Sequence, residues 1–383
     1  METIGLLLPR STFYETIGFD IFHGLKASLK RLGREDIKVV TENIGFGAEK
    51  QQCYRSAERL LLDENASLVI AYIGHRTAEL LKPLFQATNK ILIVLDAGAH
   101  LPQEWPTCPN IFYHSLHNSL GAWLSSKSAA SNGHQNGGLI TGYYDGGYLH
   151  TYSASKGFEE FGGTISFNHA TGYKKDDFSM DTLKNHADNF PNSAFLTLFS
   201  GDYVQWCFED LKNNLAGKKF TVYMSPFGFE ETMLKNAVHP GSNVKGVASW
   251  SSKIKNEENE QFTKNMEALG KTPNLFSLLG WESAVIALQT LQLIAVHKNN
   301  TVQIANELTT FEFESPRGKT SFNQKTNTSL SPLYYASVIE NENGTCEVEL
   351  HEAITNLGEE FEKLINLPTE NSTSAWYNSY TCI

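Results

Sequence analysis

A chain of 383 residues exceeds the roughly 250 to 300 residues at which a single hydrophobic core stops growing, so two lobes are expected. An apolar content of 41% with 19% charged residues excludes a disordered chain, and no stretch is read as approaching the ~18 apolar residues of a membrane span. The net charge of −11, with Lys and Arg scattered rather than clustered, argues against a nucleic-acid partner.

The first predicted strand, Ile4 to Leu8, runs into Pro9-Arg10-Ser11 and a loop carrying Phe13 and Tyr14. Ile21, Phe22, Leu25, Leu29 and Leu32 then form one stripe of a helix that Gly33 stops. A second strand, Ile37 to Val40, leads to the turn Gly45-Phe46-Gly47. That turn lacks the third glycine of a dinucleotide fingerprint, because Lys50 stands there. The β-branched run Leu68 to Ile73 reads as a strand buried on both faces and breaks at Gly74-His75-Arg76-Thr77. Leu80, Leu81, Leu84 and Phe85 return at helical spacing, and a further buried strand, Ile91 to Leu95, ends at Asp96-Ala97-Gly98-Ala99. This is a βαβ unit, and both loops that follow its strands must lie at one edge of a parallel sheet, where open α/β sheets bind small ligands.

Ile111 to Ser115 reads as the last strand of this series, followed by a helix over Leu116 to Ser128. After the polar interval Ser131 to Gly138 a second series begins. Its strands end at Gly142-Tyr143-Tyr144-Asp145, at Phe199 with Ser200-Gly201-Asp202-Tyr203 beyond it, and at Ser225-Pro226-Phe227-Gly228. Val244 to Trp250 should cross back to the first lobe, which also takes the helix Trp281 to Val296. A third crossing is expected near Gly318 to Lys325, ahead of a hairpin over Tyr334 to Leu350. The tail from Asn366 is polar and expected to be loosely held, although Trp376 and Tyr377 give it something to dock with.

No GxSxG elbow, Walker loop, HExxH or paired-cysteine nucleophile is present, so the residues give no support to an enzyme. The five cysteines fall into no metal-binding spacing, and neither a metal nor a cofactor is expected. Cys346 and Cys382 could staple the C-terminus in an oxidising compartment, or stay as free thiols. Tyr14, His75, Thr77, Asp96, Tyr144, Asp145, Tyr148, Asp202, Tyr203 and Phe227 all fall at the ends of predicted strands. Two such sheets facing each other make a cleft with aromatic walls and a few convergent polar groups, the composition of a small-molecule site.

The opening IGLLLP, the unit LVIAYIGHRTAELLKPLFQATNKILIVLDAGAHLP, the helix GWESAVIALQTL and the segment SPRGKTSFNQKTNTSLSPLYYASVIE together resemble the type I periplasmic binding proteins. The similarity is to the leucine/isoleucine/valine- and amide-binding branch of the ABC transporter substrate-binding proteins. It implies an α/β fold of two Rossmann-like lobes with parallel sheets joined by a three-crossover hinge. The lobes are placed at 1–117 with 249–325, and 118–248 with 326–365, leaving 366–383 as the tail. It also implies a ligand held between the lobes, closure onto it, and an importer permease as partner of a monomer. Carried over by position, Thr77 matches a hydroxyl that binds a ligand carboxylate, with Arg76, His75 and the helix start beside it. Ala97 and Ala99 match positions after the fourth strand that give backbone or hydroxyl contacts, next to Asp96, although Ala99 lacks the hydroxyl usual there. Tyr148 falls near the aromatic position of the first loop in the second lobe, Tyr203 fits the next aromatic position, and Phe276 fits an apolar contact from the returning segment. Phe227 stands where amino-acid binders carry the acid that pairs with the ligand ammonium. The expected ligand is therefore an acid or amide with an apolar or ring-bearing body and no obligatory ammonium, unless Asp202 or Asp145 supplies the missing charge. A ligand-sensing regulator of the same fold is the alternative. The resemblance implies a periplasmic location with the signal lying outside this sequence, whereas a native start at Met1 would imply the cytoplasm.

Overall fold

The computed structural model describes residues 2–102, 105, 108–190, 192–215, 217–218, 220–369, 372, 374 and 376–381. The strands in chain order are β1 (Thr3–Leu8), β2 (Lys38–Asn43), β3 (Leu68–Tyr72), β4 (Ile91–Asp96), β5 (Ile111–Ser115), β6 (Asn136–Thr141), β7 (Thr164–Ala170), β8 (Ser193–Leu198), β9 (Phe220–Met224), β10 (Asn243–Ala248), β11 (Phe313–Ser315), β12 (Gly318–Asn323), β13 (Thr328–Leu330), β14 (Tyr334–Glu340) and β15 (Cys346–Ala353). They form two sheets, ordered β11-β12-β13-β5-β4-β3-β1-β2 and β15-β14-β10-β9-β8-β6-β7.

Each sheet is parallel at its centre and antiparallel at one edge. The central strands carry the uninterrupted apolar runs that burial on both faces requires: β3 and β4 are buried at every position. Their register sets Val69 against Leu92 and Ile70 against Ile93. Alternate residues thereby feed two separate cores, Ile70 and Ile93 under one helical layer and Val69 and Leu92 under the other.

The hydrogen-bonded strands move the third crossing. It was expected near Gly318 to Lys325, but β12 pairs with β13 and β13 with β5, so both belong to the first sheet and the chain crosses at 331–333. A short polar strand pair at a sheet edge leaves little hydrophobic pattern to read, which is why the sequence placed the crossing too early. β10, within the segment expected to cross back, pairs with β9 and β14 in the second sheet, and the expected hairpin of β14 and β15 is present.

A second correction concerns the helix Leu275–His297, which is long and apolar enough to cross a membrane by length and composition. It packs instead inside the first lobe against the helix Ile17–Arg31. Gly24 and Gly280 allow the contact, since a Cβ on Gly24 would lie 1.9 Å from the Ser277 carbonyl oxygen and one on Gly280 2.0 Å from that of Ile21. The buried Glu282 on this helix is held by the Arg317 guanidinium at 3.0 and 2.6 Å and by His114 Nε2 at 2.9 Å. Arg317 also donates to the Ser115 carbonyl at 3.0 Å, beside the first crossing. Ser249 at the second crossing donates to the Leu116 carbonyl at 3.0 Å, so the hinge strands are cross-linked by polar side chains.

The tail differs most from its sequence reading. Rather than lying loosely on the surface, Asn378, Ser379, Tyr380 and Thr381 are buried, and Tyr380 is fully enclosed between the lobes. Cys346 is a free, buried thiol, and the staple imagined for it falls on Cys382, outside the described residues.

Candidate functional site

The carboxyl ends of the central strands of both sheets face one another, so the loops after β1, β3, β4, β6, β8 and β9 meet in one cleft. From the first lobe come Tyr14, Tyr72 and Phe276; from the second come Tyr148 and Phe227. All five rings are buried in a continuous cluster. Tyr14 meets Phe276 edge-on at 4.9 Å and Phe227 at 6.2 Å, and its hydroxyl accepts the Gly201 N–H at 3.0 Å across the cleft. Burial, with the nearby carboxyls of Glu230 and Asp145, pushes the Tyr14 phenol far up, so it stays neutral.

Behind the rings sits a polar network that the sequence did not single out as a unit. Asn118 opens the helix Asn118–Ser131, and its amide N–H₂ lies 2.6 Å from His150 Nδ1 and 2.8 Å from the Tyr380 hydroxyl. Its carbonyl accepts the Phe227 N–H at 3.2 Å. His150 Nε2 lies 2.9 Å from the Asp145 carbonyl oxygen, which fixes a neutral ring with its proton on Nε2, and burial holds its pKa down at about 4. Asp145 accepts from Ser200 at 2.7 Å and from the Tyr380 hydroxyl at 3.3 Å, while burial raises its carboxyl to about 7.

The residues anticipated from the sequence separate into groups. Tyr14, Tyr148, Phe227 and Phe276 share the aromatic cluster. Ala97 and Ala99 are buried at its edge, and their carbonyls accept the N–H groups of Asn118 at 3.1 Å and His150 at 3.0 Å, tying the first lobe to the second. The Thr77 hydroxyl donates to the Gly47 carbonyl at 3.2 Å, within the first lobe. His75 stacks on Tyr113 at 4.6 Å and lies 3.8 Å from Asp96, with its pKa lowered to about 4 by burial. Burial raises Asp96 to about 7, and its Oδ1 has no hydrogen-bond partner among the described residues. Arg76 is exposed, lies over the Tyr377 ring at 5.2 Å and donates to the Ser374 carbonyl at 3.2 Å. Tyr203 is buried in the second lobe's own core and donates to the Tyr173 carbonyl at 2.7 Å. Asp202 is exposed at the start of its helix and is not part of the buried ring cluster.

Asn118, His150, Tyr72 and Ser11 were missed. Tyr72 could have been found as the polar-tipped last residue of an apolar strand; the others carry no local signal. Beside the rings a cavity of about 790 Å³ opens between the lobes, lined among others by His75, Arg76, His100 and Leu149 and walled on one side by Trp376 and Tyr377. His100 is buried there with both ring nitrogens unpartnered among the described residues, and burial together with the charges of His75, His150 and Arg76 lowers its pKa to about 3.

A family profile for periplasmic binding proteins matches residues 3–344. The chain belongs to the type I periplasmic binding protein family. Solved structures agree on the fold. An ABC transporter substrate-binding protein from Sphaerobacter thermophilus superposes with a TM-score of 0.78 at 17% identity, covering 92% of this chain and 97% of that one. A solute-binding protein of an ABC transporter from Rhodopseudomonas palustris BisB5, in complex with 3,4-dihydroxybenzoic acid, gives a TM-score of 0.75 at 16% identity over the same shares. A branched-chain amino acid transporter protein from R. palustris gives 0.72 at 16%, covering 92% and 96%. No curated protein sequence matches the chain. The binding-protein fold thus has two mostly parallel sheets, with the aromatic cleft at the place where the family's lobes meet.

Proposed function

We propose that this binding protein captures a small carboxylate- or amide-bearing molecule with an aromatic body in the interlobe cleft and presents it, as a periplasmic monomer, to an ABC importer. The observation that carries this reading is the ring cluster formed jointly by Tyr14, Tyr148, Phe227 and Phe276, to which both lobes contribute. Aromatic walls favour a planar apolar body, while the exposed Arg76 guanidinium and the buried His100 ring offer a cation and a ring N–H for an acid or amide at the adjoining cavity. Among the described residues of the ring cluster a free α-ammonium finds no ready counter-charge, because Phe227 is apolar, Asp202 is exposed outside the cluster, and burial raises Asp145 and Glu230 to about 7. Structural neighbours that carry 3,4-dihydroxybenzoic acid, benzoate and 4-hydroxybenzoate support the aromatic-acid class.

The second reading is a ligand sensor acting on a protein partner, favoured by the C-terminal segment that spans both lobes and would have to respond to a ligand. A thermal-shift screen over aromatic acids, amides, amino acids and nucleosides tests the ligand class, since a ligand that binds only the folded state stabilises it by mass action. Stabilisation by an aromatic acid or amide is expected. Micromolar binding of leucine or valine, or no response to any aromatic acid or amide, would overturn it.

A further inference from the structure

One of the fully enclosed side chains of the cleft belongs to the chain's own C-terminal segment. Tyr380 is fully buried and lies flat on Phe227, with ring centroids 3.9 Å apart and planes 18° from parallel. Its hydroxyl receives the Asn118 N–H at 2.8 Å and donates to Asp145 at 3.3 Å. One donor and one acceptor satisfy a phenol as both donor and acceptor, so the socket is matched to a hydroxyl on a planar ring. Its backbone is gripped from both sides: Ser11 donates to the Tyr380 carbonyl at 2.9 Å and Tyr72 to the Ser379 carbonyl at 3.1 Å from the first lobe, while the Tyr380 N–H donates to the Tyr148 hydroxyl of the second at 2.8 Å. Trp376 donates to the Tyr144 carbonyl at 2.9 Å, and Thr381 to that of Phe46 at 2.9 Å.

The body of the protein is hollowed to receive this segment. A Cβ on Gly147 would lie 1.9 Å from Trp376 Nε1, and one on Gly74 would lie 2.2 Å from the Tyr377 carbonyl oxygen. Neither glycine has positive φ, so close approach of the segment, not backbone conformation, is what a side chain would violate there. Tyr380 itself sits at φ +59°, an unfavourable region for a residue with a bulky side chain, which its surroundings must hold in place.

We propose that Trp376–Thr381 is a tethered occupant of the solute cleft, with Tyr380 standing in a subsite for a para-hydroxyphenyl ring, so that a solute gains the contacts of both lobes only by displacing the segment. This rests on the cleft being the solute site. Because the segment is covalently attached, it competes intramolecularly, at an effective concentration that does not change with dilution of the protein. The apparent affinity of any solute is then reduced by the fraction of molecules in which the segment is docked.

Two experiments on the full chain test this with p-cresol, the free analogue of the tyrosine side chain. In the first, Gly47→Cys and Asn378→Cys are combined with Cys382→Ser. A Cβ on Gly47 would lie 3.6 Å from that of Asn378, within the range a disulfide needs. Mild oxidation is expected to join the two introduced thiols, and the oxidised protein should bind p-cresol at least tenfold more weakly than the reduced one. In the second, Tyr380→Ala should bind p-cresol at least tenfold more tightly than the unaltered chain does, with toluene at least tenfold weaker than p-cresol. Absence of the crosslink, equal affinity of the oxidised and reduced forms, equal p-cresol affinity of the Tyr380→Ala and unaltered chains, or toluene binding as well as p-cresol would each overturn the proposal. The crosslink result stands even where Tyr380→Ala does not fold. If both experiments succeed while no carboxylate or amide stabilises the protein, the solute class proposed above fails and the tethered occupant remains.

Discussion

Phe227 and Tyr380, 153 positions apart in the chain, stack in near-parallel rings 3.9 Å apart at the point where the two lobes meet. Phe227 is fully buried and also fixed by its N–H, which donates to Asn118 at 3.2 Å. Phe227→Ala should therefore remove a packed ring and open a cavity against Tyr380, at a cost of about 3 to 5 kcal/mol. Urea denaturation of the two proteins measures it; a loss below about 1 kcal/mol would mean that the stack contributes little to the native state.

Asn118 serves three partners at once, so its replacement should be felt by all of them. Asn118→Leu leaves the Phe227 N–H, His150 Nδ1 and the Tyr380 hydroxyl each without that partner. Buried polar groups stripped of a hydrogen bond cost about 1 to 3 kcal/mol each, and the shared network makes the sum less than additive. A drop of about 3 kcal/mol or more in unfolding free energy is expected, against a negligible change for an exposed residue such as Asp202.

Glu282 gives the acid limb of stability. Burial alone would raise its carboxyl, but the Arg317 charge and the His114 hydrogen bond overcome this and hold it at about 2, below the 4.5 of the free side chain. A depressed carboxyl pKa contributes stability that is present above the unfolded pKa and is lost as pH falls through the folded one. Melting temperature should fall between about pH 4.5 and pH 2, and Glu282→Gln should flatten that fall. At neutral pH the same substitution leaves Arg317 buried without its counter-charge, an expected loss of about 3 to 5 kcal/mol.

Asp145 works with the opposite sign. Burial raises its carboxyl to about 7, only partly offset by the Ser200 and Tyr380 hydrogen bonds. A raised carboxyl favours the protonated folded protein, so its contribution is complete below the unfolded value of 3.8 and is lost as pH rises through about 7. Asp145→Asn keeps an acceptor and removes the titration. The melting temperature of the native protein relative to this variant should decline steadily from pH 4 to pH 8, and parallel pH profiles would refute the assignment.

The crossing of the helices Ile17–Arg31 and Leu275–His297 depends on two absent side chains. Gly24→Ala places a methyl group 1.9 Å from the Ser277 carbonyl, and Gly280→Ala one 2.0 Å from that of Ile21. Each should destabilise the first lobe by about 2 to 4 kcal/mol through overpacking. Because both force the same two helices apart, the double variant should lose less than the sum of the single losses in denaturant unfolding.

What the sequence alone determined was the alternation of strands and helices, because strands buried on both faces must be continuously apolar and helices must repeat every three to four residues. Leu68 to Ile73 and Ile91 to Leu95 announce themselves in this way, and the loops that follow them lie at the edge expected of a parallel sheet. The aromatic character of the cleft was legible for the same reason: Tyr14, Tyr148 and Phe227 fall just beyond strands. Only the tertiary structure decided which loop residues point inward. Asp202 and Asp145 look equivalent in the sequence, yet one is exposed and the other fully buried, because Asp145 starts the buried turn Asp145–Gly147 and bonds to Ser200 and Tyr380, while Asp202 is the solvent-facing first residue of the helix Asp202–Asn214. The Thr77 hydroxyl is engaged by Gly47, 30 positions upstream, and no local pattern encodes that partner. The tail is the extreme case: polar and without periodicity, it reads as loose chain, and its order comes from contacts such as Ser11 with Tyr380, 369 positions apart. Contacts of that separation contribute nothing to a segment until both lobes have formed around it, so they leave no trace in local propensity.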